Sequence, residues 1–87
     1  GTTRGEYYSA AKFYYDNGKD MKKAYEWAKM ANQKGERYWQ LRLQAQIEAK
    51  LGMKKEAMIT IGKSSAVAKA AGSAGYAKAN DKIMAEF

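Results

Sequence analysis

Two glycines set 34 residues apart, Gly18 and Gly52, divide this chain into halves that match one another. Ala11 stands seven residues before the first and Ala45 seven before the second, while Ala24 follows the first by six and Ala57 the second by five. A period of that length fits one helix-turn-helix unit, and small residues at matching points let paired helices approach closely. The distance between the two alanines, 33 residues, is one short of the glycine spacing, so the first turn carries one extra residue. With 87 residues the chain has room for two such units and one more helix around a single core.

Local propensity agrees with the period. Proline is absent, valine and threonine are scarce, and alanine, lysine, methionine and glutamate are abundant, which favours long helices over strands. Periodicity breaks at Asn17-Gly18-Lys19-Asp20, Lys34-Gly35-Glu36, Leu51-Gly52-Met53 and Ala71-Gly72-Ser73, each offering a glycine as a helix stop. The spacing predicts five helices, over roughly 4–17, 20–34, 36–51, 53–71 and 73–86. Asp20 and Ser73 are the expected caps of the second and fifth, since a side-chain oxygen there can accept a free N–H of the first turn. The apolar stripes run through Tyr7, Ala11 and Tyr14; Ala24, Trp27, Ala28 and Ala31; Leu43, Ile47 and Leu51; Ala57, Ile61 and Ala68; and Tyr76, Ala79, Ile83 and Phe87.

Tyr7, Ala11, Tyr14, Gly18, Ala24, Ala28 and Ala31 in the first half, with Ala45, Gly52, Ala57 and Ile61 in the second, resemble the tetratricopeptide repeat family. The stretch Asn17-Gly18-Lys19-Asp20-Met21-Lys22-Lys23-Ala24-Tyr25-Glu26-Trp27 is also similar to the Sel1-type repeat. The resemblance implies an all-α fold in one domain over 1–87: two antiparallel helical hairpins, about 4–35 and 36–71, and a C-terminal capping helix, about 73–86, in a right-handed superhelical stack. The chain departs from the pattern where Gln44 and Glu48 replace apolar residues, where Ser64 replaces a packing alanine, and where the usual proline after the second helix is missing. Taken whole, the order of segments is similar to the C-terminal helices of an uncharacterised, largely Bacteroidetes, family in which a β-rich domain precedes them. That similarity implies a bacterial envelope or periplasmic setting, and the initial glycine in place of methionine carries the expectation of a fragment of a longer protein.

Catalysis is disfavoured by what the chain lacks. With no histidine and no cysteine, the commonest general base, nucleophile and zinc ligands are missing. Ser9-Ala10-Ala11-Lys12 has the S-x-x-K spacing of serine-lysine hydrolases without its partner motifs, and Ile61-Gly62-Lys63-Ser64 resembles the end of a phosphate loop but has Ala57 where the first glycine belongs. No catalytic residue, metal ligand or cofactor is expected. The net charge of +7 attracts acidic partners, yet the lysines are scattered along helix faces without a block of five, so a nucleic-acid or anionic-lipid surface is the lesser reading. No apolar run reaches the roughly 18–20 residues of a membrane span.

What remains is binding. On the first helix Tyr8, Lys12 and Tyr15 form a stripe opposite the core, and Trp39, Arg42, Gln46 and Lys50 form its equivalent on the third. In the resembled family such stripes line a concave groove for extended peptides, which implies a protein-interaction or scaffolding module. Tyr and Trp would supply contact area, and Lys12, Arg42 and Lys50 would favour an acidic segment or a C-terminal carboxylate. The family's best-known carboxylate arrangement is not expected, because Tyr8, Ser9 and Leu43 occupy three of its positions. The same faces also suit docking against an upstream domain of the parent protein or against a second copy of the chain.

Overall fold

The computed structural model describes residues 1–87, folded into five helices with no strand: α1 (Arg4–Asp16), α2 (Met21–Lys34), α3 (Tyr38–Lys50), α4 (Lys54–Ala70) and α5 (Ala74–Met84). Their ends fall within about two residues of the expected positions, the usual uncertainty of a boundary. Gly18, Gly52 and Gly72 stop α1, α3 and α4 by one mechanism. Each takes a left-handed φ, 61°, 79° and 80° respectively, which a side chain resists and glycine does not. That turn aims the next two N–H groups back at the last carbonyls: Lys19 donates to Tyr14 at 2.9 Å, Met53 to Glu48 at 2.8 Å and Ser73 to Ala68 at 2.8 Å.

Gly35 was expected to act in the same way and does not. Its φ of 170° is plain extended backbone, and α2 runs out into a three-residue connection before α3 starts at Tyr38. A Cβ at Gly35 would stand 3.1 Å from the Arg37 guanidinium and 3.3 Å from Arg4 Cδ, so crowding, not a left-handed turn, favours glycine there.

Helix starts divide likewise. Asp20 Oδ1 accepts from the Lys22 and Lys23 N–H groups at 3.0 and 3.2 Å, as expected of a cap. Ser73 does not cap α5; its hydroxyl donates to the Tyr38 phenol oxygen at 3.3 Å instead. An unanticipated reciprocal cap opens α1, where Glu6 N–H donates to Thr3 Oγ1 at 3.1 Å and Thr3 N–H donates to Glu6 Oε1 at 2.8 Å. These bonds hold the Glu6 carboxyl below the usual carboxylate range.

Short connections make successive helices antiparallel, so α1 pairs with α2, α3 pairs with α4, and α5 closes against α4. Alanines make the pairs close: Ala11, Ala24, Ala31, Ala45, Ala57 and Ala68 are wholly buried. Around Ala11, Ala24 and Ala28 the first core gathers Leu43 and Ile47 from α3, with Tyr14, Trp27 and Leu51 half-buried at its margin. Tyr14 meets Trp27 edge-on, ring centroids 4.7 Å apart. On α5 the inward stripe is displaced from the expected one. Ala79 is exposed, whereas Ala77 and Asn80 are buried.

Asn80 belongs to a set of buried polar residues that apolar periodicity passes over. Gln40, Glu48, Ser64 and Asn80 are each at least 98% buried. The departures Gln44 and Glu48 turn out to be joints. Gln40, Gln44 and Glu48, four residues apart on α3, build a ladder to α2: Gln40 Nε2 donates to Asn32 Oδ1 at 3.1 Å and to the Gly35 carbonyl at 2.9 Å, and Asn32 Nδ2 donates to Gln44 Oε1 at 2.9 Å. Arg4 donates to the other end of Gln40 and ties α1 into the ladder. At the far end the Tyr25 hydroxyl donates to Glu48 Oε2 at 2.9 Å. The two hairpins are thus joined by a polar seam as well as by apolar contact, and within it Glu48 Oε1 alone is buried without a hydrogen-bond partner.

Candidate functional site

Helices α1, α3 and α5 line one side of the stack, because α2 and α4 fill the other. On that side Tyr8, Lys12 and Tyr15 of α1 face Trp39, Arg42 and Gln46 of α3 across a depression of about 320 Å³. Six of the seven residues singled out from the sequence therefore surround one space. Lys50, the seventh, lines an adjoining depression of about 330 Å³, which Tyr15 and Gln46 share. Stripes read separately on two helices form one continuous groove because both helices present the same face to the same side.

The third wall was not foreseen. Tyr76 and Ile83 of α5 border the first depression, and Ile83, Glu86 and Phe87 border the second. Tyr76, Ile83 and Phe87 belong to the apolar stripe expected of the fifth helix. They are half-buried, because α5 packs on α4 through Ala77 and Asn80 and so turns Tyr76 and Ile83 toward the groove. The spacing of Tyr76 and Ile83 signals one face of α5, but not which neighbour that face meets; Phe87 lies past the end of the helix.

The three cations of the groove differ in availability. Lys12 Nζ lies 2.9 Å from Asp16 Oδ2, one helical turn away, and that bond raises its pKa above the ordinary lysine value. Arg42 lies flat over the Tyr76 ring, 3.4 Å from its centroid. Its Nε donates to Asn80 Oδ1 at 2.6 Å and an Nη donates to the Tyr76 carbonyl at 3.0 Å. Asn80 is fixed in turn by donating to the Ser64 and Ser65 hydroxyls, both at 3.0 Å, and Ser64 donates to the Tyr38 carbonyl at 2.7 Å. Arg42 is therefore a structural joint between α3 and α5 with part of its five-donor fork left over. Lys50 has no acidic partner, since the ion pairs of the molecule are Lys12–Asp16, Lys23–Glu26 and Lys63–Glu36.

Burial raises two phenols of the groove, Tyr15 and Tyr76, above their ordinary pKa. Tyr15 is pushed up first by desolvation and then by the Asp16 and Glu86 carboxylates, and Tyr76 by desolvation against the opposing pull of Arg42. Both remain neutral hydroxyls over the physiological range, suited to hydrogen bonding and apolar contact. No three acidic side chains gather into a metal-binding group, and no helix is long and apolar enough to cross a membrane. The groove offers aromatic walls, one unpaired lysine and a partly engaged guanidinium. Those groups suit recognition of a chain segment.

No protein-family model matches this chain, and neither a curated protein nor a solved structure matches it.

Proposed function

We propose that this chain is a non-catalytic protein-interaction module of tetratricopeptide-like hairpins, and that its α1–α3–α5 groove takes an extended acidic segment of a partner protein or of an adjoining domain. The observation that carries the reading is the convergence of Tyr8, Lys12, Tyr15, Trp39, Arg42 and Gln46 around one depression, with Lys50 beside it. Half-buried aromatic rings give contact area at small entropic cost, since they are already held on rigid helices. Lys50 makes no ion pair, although Glu86 borders the same depression, so a carboxylate on the ligand gains attraction without displacing a bonded partner.

Arg42 is a poor probe of this binding. Reversing its charge would break its bonds to Asn80 and to the Tyr76 carbonyl and loosen α5. Trp39→Ala and Lys50→Glu avoid that fault. The test is a library of extended peptides rich in Asp and Glu, screened by fluorescence anisotropy and mapped by amide shift changes. A binder whose shifts fall on α1, α3 and α5, and which each substitution weakens about tenfold with helicity unchanged, supports the groove. Indifference to both substitutions, or shifts confined to α2 and α4, refutes it.

A further inference from the structure

The face of α4 turned furthest from the core is not the polar face expected of a surface helix. Ala57, Ile61, Ser64 and Ala68 point inward and are buried. At about 100° per residue the opposite meridian runs through Lys55, Ile59, Gly62, Lys63, Ala66 and Lys69, all of them exposed, with Met58 at its flank. In the whole molecule only three large apolar side chains stand exposed, Phe13, Met58 and Ile59, and two of them belong to α4, Ile59 on this face and Met58 about 100° to its side. Ile59, at 65% exposure, is the most open of the three. It also borders a depression of about 320 Å³ between α2 and α4, with Leu41 and Gln44 among its lining residues.

The α4 residues of this face carry charge of one sign: the only acid of α4 is Glu56 in the first turn, Lys55 and Lys69 have no carboxylate partner, and Lys63 alone is paired, with Glu36 of the α2–α3 connection. Shape completes the description. Nothing lies within 4 Å of where a Cβ on Gly62 would stand, and Ala66 follows one turn later, so the middle of the stripe is a low floor between Ile59 and Lys69.

We propose that this face of α4 docks an amphipathic helix of a partner protein, its apolar seam over Gly62 and Ala66 and its flanks carrying Asp or Glu. A low floor lets a second helix come within the 8–10 Å of ordinary helix packing, with Ile59 as the projecting anchor and Met58 adapting around it. Lys55 and Lys69, unpaired in the free molecule, meet the acidic flanks. A lipid surface is the poorer match, because interfacial helices insert bulky Trp, Phe or Leu and the centre of this stripe is Gly62 and Ala66. None of the six residues lines the α1–α3–α5 groove, so this surface stands apart from the peptide groove proposed above.

The test uses the intact chain and a synthetic helical peptide with a leucine seam and glutamate flanks. Controls are a scrambled peptide of equal charge, and vesicles of phosphatidylcholine with one-quarter phosphatidylserine. Expected are amide shifts on the exposed face of α4, at least a tenfold loss of affinity in the neutral variant Ile59→Asn, and no change in the groove variant Trp39→Ala. Circular dichroism checks that Ile59→Asn stays folded, and Gly62→Leu, which fills the floor from the solvent side, should weaken the same peptide. Equal binding of the scrambled peptide would reduce the effect to net charge and overturn the proposal. Vesicle binding without peptide binding would overturn it in favour of a membrane surface.

Discussion

At the scale of single residues, backbone geometry and hydrogen bonding separate side chains that look interchangeable in the sequence. Gly52 sits at φ 79° and Gly35 at 170°, although both end helices. Gly52→Ala should therefore cost about 1–2 kcal/mol, the strain of a side chain in the left-handed region. Gly35→Ala should cost less, because it needs only a shift of the Arg4 and Arg37 side chains; urea denaturation of the two variants checks the order. Tyr25 differs from its neighbours by its bond to Glu48. Burial first, then that bond, pushes its phenol up from 10.0 to about 12. The unfolded chain gives up this proton at lower pH than the folded one, so the stabilisation is complete below pH 10.0 and is lost as pH rises toward about 12. Tyr15 and Tyr76, also raised, act in the same direction. Phenolate absorbance followed against pH in native and urea-unfolded protein should show the native curve displaced upward, and Tyr25→Phe should reduce the displacement.

At the scale of helices, the pairs are held by two different devices. Alanine contacts set the close approach of α1 to α2 and of α3 to α4, so Ala24→Leu or Ala57→Leu should overpack a wholly buried position and cost about 1–3 kcal/mol in thermal or urea unfolding. Full stability in both variants would contradict that packing. Polar joints hold α2 to α3 and α5 to the second hairpin. Asn80→Ala should leave Arg42 Nε without an acceptor in a half-buried position and cost about 1–3 kcal/mol. Because Asn80 is the meeting point of α3, α4 and α5, faster hydrogen exchange in that variant should appear first in Ala74–Met84, while the α1–α2 amides keep their protection.

At the scale of the molecule, α5 is both closing helix and groove wall. The radius of gyration, 12.0 Å, equals what a single compact domain of this length should have, so α5 lies packed on the stack. A chain ending at Gly72 should lose more ellipticity than the 11 residues of α5 account for, since Ser64 and Ala68 would lose their cover and Arg42 its partners. It should also lose the groove's third side. Ellipticity that falls only in proportion to the missing residues would make α5 an appendage.

The sequence by itself determined the local structure. Helix positions follow from propensity, from glycines with no Cβ to resist a left-handed turn, and from Asp20 as a short-range cap, all of which act within a few residues. The stripes Tyr8–Lys12–Tyr15 and Trp39–Arg42–Gln46–Lys50 were legible for the same reason, since one helical period places them on one face. Tertiary structure alone decided what those faces meet. It placed Tyr76, Ile83 and Phe87 in the groove, buried Asn80 in place of Ala79, diverted Ser73 from capping to Tyr38, and tied Arg42 down. In each case the deciding partner lies on another helix, at least 15 residues away for every bond that Asn80 makes. Polar residues are buried only where such a partner exists, and periodicity within one helix carries no record of it.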